Sequence, residues 1–210
     1  SRLKCFSALE HTSLGLARKL ALEKATGEWV GFLDVDDLWF PEKLSEQMNA
    51  IQSERSAVGL VYSRCVVLDG EKNYTESFSQ TAQVLPSCKS LPQACLAEKL
   101  FLGNLIPFPS ILYKRKVLSE IGGFPDYNHP PDYYMSLSVS LKHKAIAVDK
   151  ILCAYRIHKN NLSAKIPEQG YLEPIDIVKK LAPQNRLAEL SRYNKMRYVF
   201  FLLKRFRWLD

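Results

Sequence analysis

Apolar residues recur at helical spacing between Leu14 and Ala25, where Leu14, Ala17, Leu20, Ala21 and Ala25 fall on one face. The pattern predicts a helix with Ser13 as its N-cap and Gly27 as its terminator. Trp29 to Leu33 ("WVGFL") abandons that rhythm. It is short and apolar on both faces, as a central strand of a parallel sheet should be. Pro41 suits the first turn of a second helix, whose apolar stripe is Leu44, Met48 and Ile51. Val58 to Leu68 ("VGLVYSRCVVL") predicts another strand, turning at Asp69-Gly70.

Ile106 to Tyr113 ("IPFPSILY") is strand-like but broken by prolines, which predicts an edge or bent strand. Lys116 to Ile121 reads as a short helix stopped by Gly122-Gly123. Asp132 to Leu141 reads as a longer one with Tyr134, Leu137 and Leu141 inward. "AIAV" and "ILCAYRIH" are strands, and an amphipathic helix runs from Pro183 nearly to the end. Residues 2 to 6 ("RLKCF") predict a further short strand, whereas Tyr74 to Pro92 is polar and carries no pattern. Strands alternating with helices indicate an α/β fold with a mostly parallel sheet flanked by helices.

A chain of 210 residues, 47% hydrophobic and 24% charged, fits one soluble domain with an appendage. Five scattered cysteines without a C-x-x-C pair argue for reduced thiols and a cytoplasmic setting. The apolar run Tyr198 to Leu203 is far shorter than the ~20 residues that cross a bilayer. A net charge of +7 raises nucleic acid as a partner, but its distribution points elsewhere. From Gln184 onward seven Lys and Arg stand against Glu189 and Asp210, so this stretch alone carries +5. The expected partner of that basic amphipathic helix is an anionic membrane surface, at the inner face of the plasma membrane, and no nucleic acid. Its apolar residues are Leu187, Leu190, Val199, Phe200, Leu203 and Phe206.

"GFLDVDDLWFPEKL" sets Asp34, Asp36 and Asp37 within four positions at the end of the apolar strand. Like charges so close repel, and desolvating them is costly unless something positive joins them. In open parallel sheets, ligands bind beyond the carboxyl ends of the strands. A hard cation, Mg²⁺ or Mn²⁺, with its open positions filled by the phosphates of a nucleotide diphosphate, would relieve the repulsion. The plain alternative is that Asp36 or Asp37 caps the next helix and Asp34 serves the turn.

Ala17 to Met48 ("ARKLALEKATGEWVGFLDVDDLWFPEKLSEQM") resembles the central block of family 2 glycosyltransferases of the GT-A fold. "LSEIGGF" is similar to that family's glycine loop, "PDYYMSLSVSL" to the helix carrying its catalytic base, and "AYRIHKNNLS" to its Tyr-Arg-x-His segment. The resemblance covers roughly residues 2 to 163. It lacks the family's opening strands, so it implies a partial, N-terminally truncated GT-A domain over residues 1–165. A C-terminal helical basic tail over 166–210 would follow.

The resemblance implies inverting transfer of a sugar from a nucleotide-diphosphate sugar to a hydroxyl of a glycan or lipid-linked acceptor. Bacterial cell-surface polysaccharide or glycolipid synthesis is the implied setting. Asp34 and Asp36 would hold Mg²⁺ or Mn²⁺ with His158, and Asp132 would be the general base. Gly15, Arg18, Asp37, Gly122, Gly123 and Arg156 would lie on the substrate side. The chain departs from the family at Lys19, where Asn is usual, and at Pro131, where Glu precedes the base. Two other readings stay open: a haloacid-dehalogenase-type phosphohydrolase using Asp34 as nucleophile, and a non-catalytic remnant acting through its tail.

Overall fold

The computed structural model describes residues 3–7, 10–54, 56–70, 83–84, 93–127, 130–161 and 169–206. Most of the patternless segment 74–92 lies outside them. The spine is a pair of long strands, β3 (Val58–Asp69) and β6 (Lys144–Ile157), which run parallel from Val58↔Lys144 to Asp69↔Ile157. "AIAV" and "ILCAYRIH", read from sequence as two strands, belong to this one strand. The register jumps from Ser63↔Val148 to Arg64↔Ile151, so Asp149 and Lys150 bulge out, and Asp149 lies 3.8 Å from Arg64.

The other described strands are β1 (Trp29–Gly31), β2 (Leu38–Trp39), β4 (Gln83–Val84) and β5 (Leu112–Lys114). The sheet order is β1-β5-β3-β6-β2, with β4 on β3, and every described pairing except β3–β6 is antiparallel. The sheet is therefore mixed rather than mostly parallel. "WVGFL" lies at the edge of the described sheet, not at its centre, and "ILY" lies inside it. The short β5 can sit between β1 and β3 because Pro107 and Pro109 are spent on a 3-10 turn, Phe108–Ser110, before the strand begins. Residues 3–7 form no strand, and Leu3 and Phe6 there are 85% and 61% exposed.

Two antiparallel steps bring β1 back to the direction of β3 and β6. The loop after β1, the Asp69-Gly70 turn and residues 156–158 therefore share one end of the sheet, where the Gly70 N–H donates to the Ile157 carbonyl (2.8 Å). The helices α1 (Leu14–Lys24), α2 (Lys43–Gln52), α3 (Gln93–Leu102), α4 (Arg115–Glu120) and α5 (Pro131–Lys142) flank the sheet. The Ser13 hydroxyl accepts from Leu16 N (3.1 Å), the cap expected of it. The buried face of α1 is Gly15, Arg18 and Leu22, however, and Ala17, Leu20 and Ala21 face solvent.

At the C-terminal end α6 (Gln169–Leu181) and α7 (Leu187–Phe206) pack on one another. Ile177, Val178 and Leu190 join Leu100, Phe101, Tyr133 and Met135 in a single apolar cluster. The sequence favoured a membrane face for the final helix over docking. Its first half does dock: Leu190 is buried, and Asn194 Nδ2 donates to the Phe101 carbonyl (3.2 Å). Among the described residues no helix is long and apolar enough to cross a membrane.

Candidate active site

The Asp34–Asp37 loop is a tight turn closed by Asp37 N donating to the Asp34 carbonyl (3.1 Å), with Val35 fully exposed at its tip. Its three carboxylates point to three different partners, which relieves the repulsion the sequence posed. Asp34 takes Arg18 Nη2 on both oxygens, at 3.1 and 3.3 Å. Asp36 Oδ2 faces His158 Nε2 at 3.1 Å and accepts from Asn161 Nδ2 at 3.3 Å. Asp37, only 5% exposed, accepts the Arg156 N–H at 3.0 Å. Burial, aided by the charges of Asp36 and Asp34, pushes its carboxyl up to about 7 against the pull of that N–H.

The end of β6 supplies this support. Arg156 Nε donates to the Asp36 carbonyl (3.0 Å) and its Nη1 to the Gly70 carbonyl (3.1 Å), tying the acidic loop to the β3 turn. Asn161 Oδ1 accepts the His158 N–H, and its amide also donates to the Arg156 carbonyl (2.9 Å). His158 Nδ1 accepts the Asn160 N–H at 3.2 Å, and Nε2 faces Asp36. In this geometry His158 is held against Asp36.

Arg18 links that loop to the N-terminus of α5. Its guanidinium is buried over the Phe108 ring, 3.9 Å from the centroid, and Nη1 lies 3.8 Å from Asp132 Oδ1. That Nη1 has no hydrogen-bond partner. Asp132 Oδ2 accepts from Asn104 Nδ2 at 2.7 Å. Burial raises the Asp132 carboxyl above the usual range, while Arg18 and Asn104 draw it back.

Arg18, Asp34, Asp36, Asp37, Asp132, Arg156 and His158 thus come together. The three glycines have local structural accounts, close packing for Gly15 and backbone conformation for Gly122 and Gly123. A Cβ on Gly15 would lie 1.9 Å from the Pro125 carbonyl oxygen, and the Gly15 N–H donates to the Tyr127 carbonyl (2.9 Å). Gly122 and Gly123 hold φ of +89° and +73° at the end of α4, where Gly123 N reaches the Leu118 carbonyl (2.9 Å), a left-handed helix ending. Sequence reasoning missed Asn104 and Asn161. Asn161 stood inside the quoted "AYRIHKNNLS", but a loop amide leaves no periodic trace.

Asp34 and Asp36 offer hard oxygen donors of the kind Mg²⁺ and Mn²⁺ accept, so the chemistry of the donor set fits such an ion. Among the described residues no cluster of three His, Cys, Asp or Glu is assembled for a metal. Two carboxylates suit an ion that keeps further positions for water and phosphate.

A family model described as Glycosyl transferase family 2 matches residues 4–122. Escherichia coli WfgD, a UDP-Glc:alpha-D-GlcNAc-diphosphoundecaprenol beta-1,3-glucosyltransferase, is 24% identical over 166 residues, 78% of this chain and 59% of WfgD. The fold is similar to S. aureus TarS in complex with UDP-GlcNAc, with TM-score 0.60 and 16% identity over 85% of this chain and 51% of that one. It is also similar to a mannosyltransferase from Pyrobaculum calidifontis in complex with GDP-Man and Mn2+, with TM-score 0.52 and 21% identity over 87% and 48%. This chain spans about half the length of these three proteins.

Proposed function

Because the chain belongs to glycosyl transferase family 2, we propose that it carries out inverting transfer of a sugar from a nucleotide-diphosphate sugar to a hydroxyl of a glycan or lipid-linked acceptor. The observation that carries the reading is Arg18. One buried guanidinium spans Asp34 of the acidic loop and Asp132 of α5, joining a phosphate-side carboxylate to a base-side carboxylate in one site. The named activity of WfgD and the UDP-GlcNAc and GDP-Man complexes support the donor class and a role in bacterial surface-glycan synthesis.

Asp34 and Asp36 are the residues that would hold Mg²⁺ or Mn²⁺, a choice the Mn2+ complex of the mannosyltransferase supports. When bound, the ion supplies charge neutralisation to the departing diphosphate. The protein's own residues do the rest. Arg156 and Asn161 fix the backbone and carboxylate of Asp36, and His158 holds that carboxylate in place. Arg18 opposes the burial that raises the Asp132 carboxyl and so favours its ionised form, the form that takes the proton of the acceptor hydroxyl. A single base facing the anomeric carbon opposite the leaving group gives inversion.

Away from its docked positions Leu190 and Asn194, α7 exposes Tyr193, Met196 and Val199 next to Arg192 and Lys195, which supports contact with an anionic membrane. The test of the metal reading is turnover of a panel of nucleotide-diphosphate sugars by the full-length protein. Activity should be lost in excess EDTA and in Asp36→Asn. Undiminished turnover in EDTA removes the metal, undiminished turnover by Asp36→Asn removes that residue, and no turnover of any sugar by the wild-type protein leaves the non-catalytic alternative.

A further inference from the structure

Asp132 occupies the second position of α5, and the N-cap there, Pro130, provides no side-chain hydrogen bond to the first turn. An aspartate so placed is drawn to its own helix's N–H groups by the dipole, a structural role that would take its carboxylate out of the site. The carboxylate does accept from its own backbone N–H, and a second contact comes from a distant segment: Asn104, on the loop leaving α3, donates from Nδ2 to Asp132 Oδ2 at 2.7 Å. The other oxygen, Oδ1, faces Arg18 Nη1 from 3.8 Å, too far for a hydrogen bond.

We propose that Asn104 is a positioning residue for sugar transfer: it pins Oδ2 of Asp132 and so keeps Oδ1 on the Arg18 side, toward the acceptor hydroxyl. The inference rests on the transfer reading above. In the step it serves, the acceptor O–H proton passes to Oδ1 as the oxygen's electron pair forms the bond to the anomeric carbon. The bond from that carbon to the diphosphate oxygen breaks, and its pair leaves with the diphosphate. Arg18 carries the positive charge facing Asp132 from α1 and is shared with Asp34 from the acidic loop. From β5 the nearest titratable group is the Tyr113 phenol, buried against Ser136 Oγ at 2.8 Å.

Asn104 is exposed, so replacing it leaves the core intact. In the full-length protein, Asn104→Ala should lower kcat on nucleotide-diphosphate sugars by about tenfold to a hundredfold, the worth of a hydrogen bond to a charged group. KM for the donor should stay unchanged, and the acid limb of the kcat–pH profile should move to higher pH. Carboxyl ¹³C NMR without substrate, with the Asp132 signal assigned by its absence in Asp132→Asn, should show the same upward move. Asn104→Asp, which removes the donor and adds a charge, should exceed Asn104→Ala in both. Wild-type kcat together with wild-type Asp132 titration in Asn104→Ala overturns the proposal, and so does a change confined to KM. Full turnover by Asp132→Asn would instead remove the base itself. The NMR arm needs no donor, so it decides the point even where no sugar in the panel reacts.

Discussion

Replacing Lys43 by methionine probes the packing that holds the acidic loop from behind. Lys43 is fully buried on α2, its Nζ donating to Gln47 Oε1 at 2.7 Å and lying 4.3 Å from the centre of the Trp39 ring. Trp39 follows the acidic turn and is anchored by its Nε1 to the Pro109 carbonyl at 2.7 Å. Burial pulls the ammonium down from 10.5 to about 8. At 1.36 kcal/mol per unit that is a cost of about 3 kcal/mol, from which the Trp39 face returns ~1–2. Below about pH 8 the lysine is charged in both states and the cost is fully present. Between there and 10.5 the folded form is neutral while the unfolded form still binds its proton, so stability rises with pH. Methionine has similar length and no charge, and the lost contact to Gln47 adds a constant of about 1 kcal/mol at every pH. Urea melts of both proteins should therefore show the stability of Lys43→Met relative to wild type falling by about 1–3 kcal/mol from pH 7 to pH 10.5. A difference that stays constant across that range would refute the reasoning.

Gly15→Ala places a methyl against the backbone of residues 125–127 with no flexible side chain to yield, so Tm should drop as for a loss of about 3 kcal/mol or more; an unchanged melt would mean the loop moves freely. The protein should co-sediment with anionic liposomes, and ~0.5 M salt should weaken the binding. Because Leu190 belongs to the core, truncation after Pro183 would disturb the fold. The informative variant is Met196→Ser with Val199→Ser, and equal sedimentation with and without that pair would end the membrane reading.

Helix positions were legible because capping and stopping signals are local: Ser13 caps α1, and Gly122-Gly123 ends α4. Their inner faces were not. The buried positions of α1 (Gly15, Arg18, Leu22) and α2 (Lys43, Gln47) keep helical spacing but are largely polar, so an apolar stripe drawn through Leu20 or Leu44 selects the wrong side. The polar groups on these inner faces are taken up by specific partners. Arg18 holds Asp34 and lies near Asp132, while Gln47 reaches the carbonyls of Ser110 (2.7 Å) and Val61 (3.4 Å). "WVGFL" read as central because its residues are apolar, yet strand order is a property of long-range pairing that one segment does not encode. The acidic residues of the site announced themselves by repulsion. The amides that steady them, Asn104 and Asn161, carry no charge and sit in loops, so only their contacts reveal them.

The central claim is that Asp132 acts alone as base on the face opposite the leaving group. It is tested most directly by the configuration of the product. Time-resolved ¹H NMR of the full-length protein with α-linked UDP- and GDP-sugars and Mn²⁺, water serving as acceptor, reads the anomeric proton of the first sugar released, before mutarotation. The account predicts the β-anomer first, and no release above background by Asp132→Asn. First release of the α-anomer, or undiminished release by Asp132→Asn, would contradict it.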